Sequence, residues 1–194
     1  IVLILVLVAL NGFFVAVEFS AVSARRARLD LLTEPHSRAG RFVRGWIENT
    51  AARDRLIAAT QLGITLVSLA LGAVGENTFE ALLEPYFHEA ALPPALAFIN
   101  TILPILPLII SLLIVTSLHV VLGEQVPKVA VLRAPEKFAL TAAPFMQFFI
   151  AVFKWFVNAL DWATRAILGL FGLPATSAHT LVFSQEEFKQ MVAG

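Results

Sequence analysis

The chain has 194 residues, 58% of them hydrophobic and 14% charged, with a mean hydropathy of +0.81. That is too apolar for a water-soluble domain of this length and reads as an integral membrane protein. A formal net charge of zero argues against a nucleic-acid footprint, and the absence of cysteine removes disulfides and thiolate metal sites, so any metal must bind through oxygen or imidazole.

About 20 apolar residues cross a hydrocarbon core. The first predicted span runs from Ile1 to about Ala24, is interrupted by Asn11-Gly12 and Glu18, and meets Arg25, Arg26 and Arg28. No basic region precedes it and no small-residue cleavage site is evident, so it reads as a retained helix rather than a secretory signal. The loop over 25–55 also carries Arg38, Arg41, Arg44, Arg53 and Arg55, and its 33–50 part, with Pro35 and Gly40, reads as a solvated connection and helix. The second span runs from about Leu56 to Val74. The following loop, 75–98, holds Glu76, Glu80, Glu84 and Glu89 without Lys or Arg. The third span, about Ile99 to Leu122, contains Pro104 and Pro107, each expected to bend or loosen it. Lys128, Arg133 and Lys137 come next. Because Lys and Arg concentrate on the cytoplasmic side, the N-terminus is expected outside and the C-terminus in the cytoplasm, in the inner (plasma) membrane.

Residues 138–172 are apolar again but are punctuated by Pro144, Lys154, Asp161 and Arg165, and Trp155 and Trp162 suit an interface. One or two helices lying against the inner leaflet are expected; a fourth crossing, which would put the tail outside, is the alternative. Phe183-Ser184-Gln185-Glu186-Glu187-Phe188 looks like the opening of a polar amphipathic helix, and a longer parent protein is expected. The fold class is thus an all-α membrane protein with three transmembrane helices plus juxtamembrane amphipathic helices. Residues 1–137 form the transmembrane core, 138–176 the juxtamembrane helices and 177–194 the start of a cytosolic linker.

The polar groups within the spans suggest a cation site. In Gly123-Glu124-Gln125-Val126-Pro127-Lys128, Pro127 lacks the N–H that would bond the Gly123 carbonyl one turn back, which frees that oxygen as a ligand. Glu124 beside it is costly in a membrane unless paired, hydrated or bound to an ion. At about 100° per residue, Asn11 and Glu18 share a helix face, whereas Ser20 lies nearly opposite Asn11 and Ser23 about a third of a turn away. Both serines join one site only with local distortion, which Gly12 or a wider turn could supply. Gln61, Thr65 and Ser68 make a polar stripe on the second span, with Ser68 nearest mid-membrane. A membrane serine more often bonds the carbonyl a turn back, and such a stripe more often packs helices than binds ions. Asn100 suits a helix cap, and Ser111, Thr116 and Ser117 suit backbone-bonded hydroxyls. His119 stands alone within the spans, and His36, His88 and His179 form no cluster with it. Oxygen donors of this kind suit Mg²⁺, Ca²⁺ or Na⁺; spacing does not choose among them.

Three blocks in order, Asn11 to Ser23, Gln61 to Gly72 and Leu122 to Lys128, resemble the transmembrane domain of the CorC/CNNM family of magnesium transporters, also known as hemolysin-like proteins. Ser20 stands where many bacterial members carry alanine. The resemblance implies three spanning helices, a juxtamembrane helix, a homodimer in the lipid bilayer and a cytosolic continuation with paired CBS domains that bind adenine nucleotide. It also implies Mg²⁺ efflux, coupled to Na⁺ in some members. On this basis Glu124 and the Gly123 carbonyl are expected to anchor Mg²⁺, with Asn11, Ser20 or Ser23, and Ser68 completing the shell. Glu18 is expected to tune the field or carry a coupling ion, Gln61 to stand behind the ligands and Pro127 to play a structural part. A membrane Mg²⁺ sensor or scaffold that regulates another transporter is the rival reading. Catalysis is not expected: Ser23 and His119 come with no informative nucleophile, base and orienter motif.

Overall fold

The computed structural model describes residues 1–34, 36–88 and 105–172, and among these every regular element is helical. Helix α1 spans Val2–Ser23, α2 Arg26–Leu32, α3 Arg38–Glu48 and α4 Thr50–His88. Helix α5 spans Leu106–Leu118 and passes into a π-helical segment, His119–Gln125, then α6, Val126–Val131. Helix α7 spans Pro135–Leu170. Four stretches are long and apolar enough to cross a membrane: Val2–Ser23, Thr50–Leu83, Leu106–Val131 and Pro135–Leu170. The protein is a multi-pass membrane protein by this measure.

Helix α1 lies antiparallel to α4. Ile4 packs in a cluster with Leu71, Asn11 meets Ser68, Phe14 meets Gly63, and Val17 packs in a second cluster with Leu56. The Phe14–Gly63 approach needs glycine, because a Cβ at residue 63 would stand 2.6 to 2.7 Å from the ring carbons. Helix α5 is in turn antiparallel to α4, with Gly75 against Val115 and the Ser111 hydroxyl donating to the Glu76 carbonyl at 3.0 Å. In lipid the hydrophobic effect does not drive such helices together, so close packing and polar contacts must do so.

The arginine-rich stretch folds rather than looping. Asn49 Oδ1 accepts from the Ala52 N–H at 3.1 Å and starts α4, as Ser37 Oγ accepts from the Gly40 N–H at 3.2 Å to start α3. Helix α3 buries Val43 and Trp46 on Ala139, Ala142, Ala143 and Met146 of α7, together with Leu29 and Leu56. The alanines recur at three- and four-residue spacing and form a small-residue face that lets α7 approach closely. Arg26 and Arg44 hold Asp30 at 3.6 and 2.6 Å, and Arg26 also holds Glu48 at 2.8 Å. These exposed pairs contribute little individually.

Residues 135–170 form one continuous helix with Pro144 inside it, the single-helix form of the expectation. Its charged residues interrupt hydropathy without interrupting helical hydrogen bonding. Pro107 sits in the first turn of α5, where a missing N–H has no intrahelical partner to lose, so it opens the helix instead of bending it. Asn11-Gly12 breaks the apolar run but not the helix: α1 is unbroken, as the retained first span predicts. Pro104, Asn100, Glu89 and His179, and the 177–194 segment, lie outside the described residues.

At the first turn of α7, Glu136 is 2% exposed and accepts the Arg25 N–H at 2.9 Å. It closes the start of α2 from another helix, tying the end of α1 to α7. Glu136→Ala is expected to lower stability by about 1–3 kcal/mol, the typical loss when a hydrogen bond to a charged group is removed. Glu136→Gln, which keeps the acceptor, should lose less. Thermal unfolding of the two variants checks this, and equal midpoints for wild type and alanine would refute it.

Candidate functional site

The third helical stretch changes pitch where the polar groups cluster. Between Leu118 and Val126 the chain takes a π-helical path, with the Val126 N–H bonding the Val121 carbonyl five residues back. Pro127 offers no N–H to the Gly123 carbonyl, so one rung of the α-ladder is missing at this turn. A π turn adds one residue per turn, re-aims the side chains it carries and frequently marks a functional site.

Asn11 fills the opening. It is fully buried, and its Nδ2 donates to the Gly123 carbonyl at 3.0 Å. Its Oδ1 accepts from Ser68 Oγ at 3.2 Å. Ser68 Oγ also lies 3.1 Å from His119 Nε2. With the single hydroxyl proton directed at Asn11, His119 Nε2 must carry the hydrogen that completes this second bond. His119 Nε2 lies 3.9 Å from Glu124 Oε1, and Glu124 Oε2 lies 3.5 Å from Lys128 Nζ. One chain of polar contacts therefore runs from α1 through α4 into the π segment and α6.

Steric fit holds these partners in place. A Cβ on Gly12 would stand 2.8 Å from Pro127 Cγ and 3.7 Å from the Gly123 carbonyl oxygen. A Cβ on Gly123 would meet His119 Cδ2 at 3.1 Å and Asn11 Nδ2 at 3.2 Å. Glycine is required by close approach at residue 12, whereas at residue 123 a Cβ would press His119 and Asn11 back by a few tenths of an ångström; neither glycine has an unusual φ. Pro127 thus withholds a donor and also packs on α1.

Of the sequence-predicted residues, the structure brings together Asn11, Ser68, Gly123 and Glu124, with Pro127 behind them. Ser20 and Ser23 lie nine and twelve residues beyond Asn11 on α1, about 13 and 18 Å along its axis. The Ser20 hydroxyl donates to the Val17 carbonyl at 2.7 Å. Gln61 is exposed on α4, and Thr65 Oγ1 donates to the Gln61 carbonyl at 2.8 Å, so the polar stripe reaches the network only through Ser68. Glu18 is half-buried on α1, and Lys128, whose Nζ lies 5.4 Å from the Phe19 ring centre, is close enough to act on its charge.

His119 and Lys128 join the site although the sequence reading gave neither a part in it. Lys128 carries a sequence signal, following Glu124 at four-residue spacing, whereas His119 opens the π segment and carries none. Among the described residues no three His, Cys, Asp or Glu side chains are grouped to hold a metal. The donor set is one carboxylate with neutral oxygens, which suits a hard cation and not zinc or copper.

Comparison with known proteins identifies the family of the chain. Residues 2–194 match the model of the cyclin M (CNNM) transmembrane N-terminal domain. The chain is 38% identical over 194 residues to UPF0053 protein YhdT of Bacillus subtilis (strain 168), covering 99% of this chain and 40% of that protein. It is 35% identical over 190 residues to UPF0053 protein YrkA of the same strain, covering 96% and 41%. UPF0053 protein sll0260 of Synechocystis is 35% identical over 191 residues, covering 97% and 40%. The chain spans about two fifths of the length of these relatives. It belongs to the cyclin M transmembrane domain family.

Proposed function

We propose that this cyclin M family domain carries Mg²⁺ across the plasma membrane, as the ion-conducting part of a longer, homodimeric protein. In this reading residues 1–137 form the transport core, 138–176 the juxtamembrane element and 177–194 the start of the cytosolic connection to paired CBS domains that bind adenine nucleotide. The N-terminus faces outward and the arginine-bearing helices α2 and α3 face the cytoplasm, in accord with the placement of positive charge.

One observation supports the reading: a π-helical turn sets the Gly123 carbonyl on the Asn11 amide of α1 and the Glu124 carboxylate beside His119, which in turn contacts Ser68 of α4. At present Asn11 presents its amide nitrogen to Gly123. A half-turn of that amide would exchange Nδ2 for Oδ1 and leave two carbonyl oxygens side by side. Two such dipoles repel unless a cation lies between them. The network can therefore close on itself without an ion and open into a ligand set with one. Lys128 supplies a positive partner for Glu124 in the closed arrangement and must withdraw as a divalent ion arrives.

Mg²⁺ requires about six oxygens in octahedral array and gives up water reluctantly. Glu124, the Gly123 carbonyl, Asn11 and Ser68 offer four, and water would supply the rest; Ser20 or Ser23 could join only as alternatives to Asn11, since a shift of the unbroken α1 that brought them in would carry Asn11 away. Glu18 is proposed to set the field along the path or to take Na⁺ as a coupling ion, with Gln61 behind the ligands. The domain is proposed not to be an enzyme. Regulation of another transporter by a Mg²⁺-sensing domain is the second reading, favoured by the ability of the network to close without the ion.

The deciding experiment is Mg²⁺ flux into liposomes containing the purified full-length protein, with and without an opposing Na⁺ gradient. Flux is the expected result, and its dependence on Na⁺ would establish exchange. Mg²⁺ binding without flux would overturn transport and leave the sensor.

A further inference from the structure

Behind the polar network, on the other side of Gly12 and Pro127, a groove of about 620 Å³ runs between α1, α6 and the first turns of α7. Its walls are Ala9, Gly12 and Phe13 on one side and Leu122, Pro127 and Ala130 on the other. Ala9, Leu122 and Ala130 are exposed, so the groove is open along its length to the surroundings of the helices. Lys137 and Thr141 of α7 form its rim. The Thr141 hydroxyl is spent on the Lys137 carbonyl at 3.0 Å, which leaves the Lys137 ammonium as the charged group at an otherwise apolar trough. Arg133, in the turn between α6 and α7, is exposed as well, and neither cation has an acidic partner among the described residues.

We infer that this groove is a binding site for one acyl chain of an anionic phospholipid, with the headgroup phosphate held by Lys137 and Arg133. The volume lies within the range of about 300–1,000 Å³ typical of small-ligand pockets. From Leu122 to Val131 the wall rises about 13 Å at helical pitch, long enough for a substantial part of a lipid tail. Small side chains line a slot open to the bilayer, Lys137 stands on its rim and Arg133 follows in the adjoining turn next to the lining residue Ala134, where a Lys or Arg stem can lie on apolar surface while its charge meets a phosphate. A second copy of the chain is a poorer occupant. In a twofold pairing the same patch faces itself, which would bring Lys137 and Arg133 toward their own counterparts without an anion between them.

The floor of this groove is the Gly12–Pro127 contact that sets the Asn11–Gly123 hydrogen bond. On the ion-site reading above, a bound tail would hold Pro127 against α1 and stabilise the closed network. Lipid binding itself does not depend on that reading, and the test is made without flux.

Native mass spectrometry of the purified full-length protein, titrated with equimolar phosphatidylglycerol and phosphatidylcholine, reads the site directly. Phosphatidylglycerol is expected to be retained preferentially. Each basic residue near a membrane surface contributes about 1 kcal/mol toward anionic lipid, about five-fold in affinity, so Arg133→Ala combined with Lys137→Ala should weaken phosphatidylglycerol by about 25-fold and abolish the preference. Both side chains are exposed, so this variant should fold. Ala130→Trp, which fills the slot, should weaken both lipids. A phosphatidylglycerol carrying a photoreactive tail should crosslink within residues 122–141. Equal retention of the two lipids, unchanged affinity in the double alanine variant, or a disulfide between two copies through Ala130→Cys would overturn the proposal.

Discussion

Glu124→Gln is expected to abolish Mg²⁺ transport and to weaken Mg²⁺ binding by at least about 100-fold, about 2.7 kcal/mol. The substitution keeps the shape of the side chain and one neutral oxygen, and removes the single carboxylate in the Asn11, Ser68, His119 and Glu124 network. Two unit charges 4 Å apart interact by about 4 kcal/mol at an effective dielectric of 20, so the loss of one anionic ligand facing a divalent ion easily exceeds the figure given. The remaining donors are dipoles, which cannot readily replace the water that Mg²⁺ holds. Isothermal titration of the purified variant, with flux measured in parallel, checks the expectation. Mg²⁺ affinity equal to wild type in a variant with an unchanged elution profile would remove Glu124 from the site. Lys128 would lose its 3.5 Å partner in the same variant but lies 5.4 Å from the Phe19 ring centre, where a cation–π contact can hold it.

What hydropathy resolves in this chain is apolar length, and helices do not end where apolarity ends. The predicted first span and α1 agree within one residue at each end because Arg25 and the extended Ala24 close the helix at the charge boundary. The second span is legible only at its centre: Leu56–Val74 is the apolar core of a helix that begins at Thr50, capped by Asn49, and continues to His88. In the 25–55 stretch, arginines mask a buried face of Leu29, Val43 and Trp46, whose partners are the alanines of α7 more than 90 residues away. At the site, Gly123, Glu124 and Pro127 carry a local signal because a missing proline N–H is a backbone fact. Asn11 and Ser68 can be proposed from polarity within an apolar run. His119 could not be: its partner Ser68 is 51 residues distant, and the pairing depends on the antiparallel register of α4 and α5. The wider helical turn invoked to bring the α1 serines into one site occurs instead in the third stretch, where Pro127 removes a rung of the α-ladder, while α1, with no proline, stays regular.

Gly12→Leu should separate the ion site from the fold. Even one added carbon at this position stands 2.8 Å from Pro127 Cγ, closer than atoms pack, and a leucine cannot be accommodated unless α1 withdraws from the π segment. Overpacking of this kind typically costs about 1–3 kcal/mol. The first casualty is the Asn11 Nδ2 to Gly123 carbonyl bond at 3.0 Å, because it bridges the two surfaces that must part. The α1–α4 contact of Phe14 on Gly63 and the cluster around Trp46 lie on other faces and should persist. Mg²⁺ affinity is therefore expected to fall by about ten-fold or more while the far-ultraviolet circular dichroism stays that of a folded helical protein. Gly72→Ala is the matched control: a methyl group there meets nothing within 4 Å, and affinity should be unchanged. If Gly12→Leu retained wild-type affinity, the close approach of α1 to Pro127 would be packing alone, and the geometry of Gly123 would owe nothing to Asn11. If Gly72→Ala lost affinity as well, glycine content in the spans would matter through helix flexibility, and the local steric argument would fail.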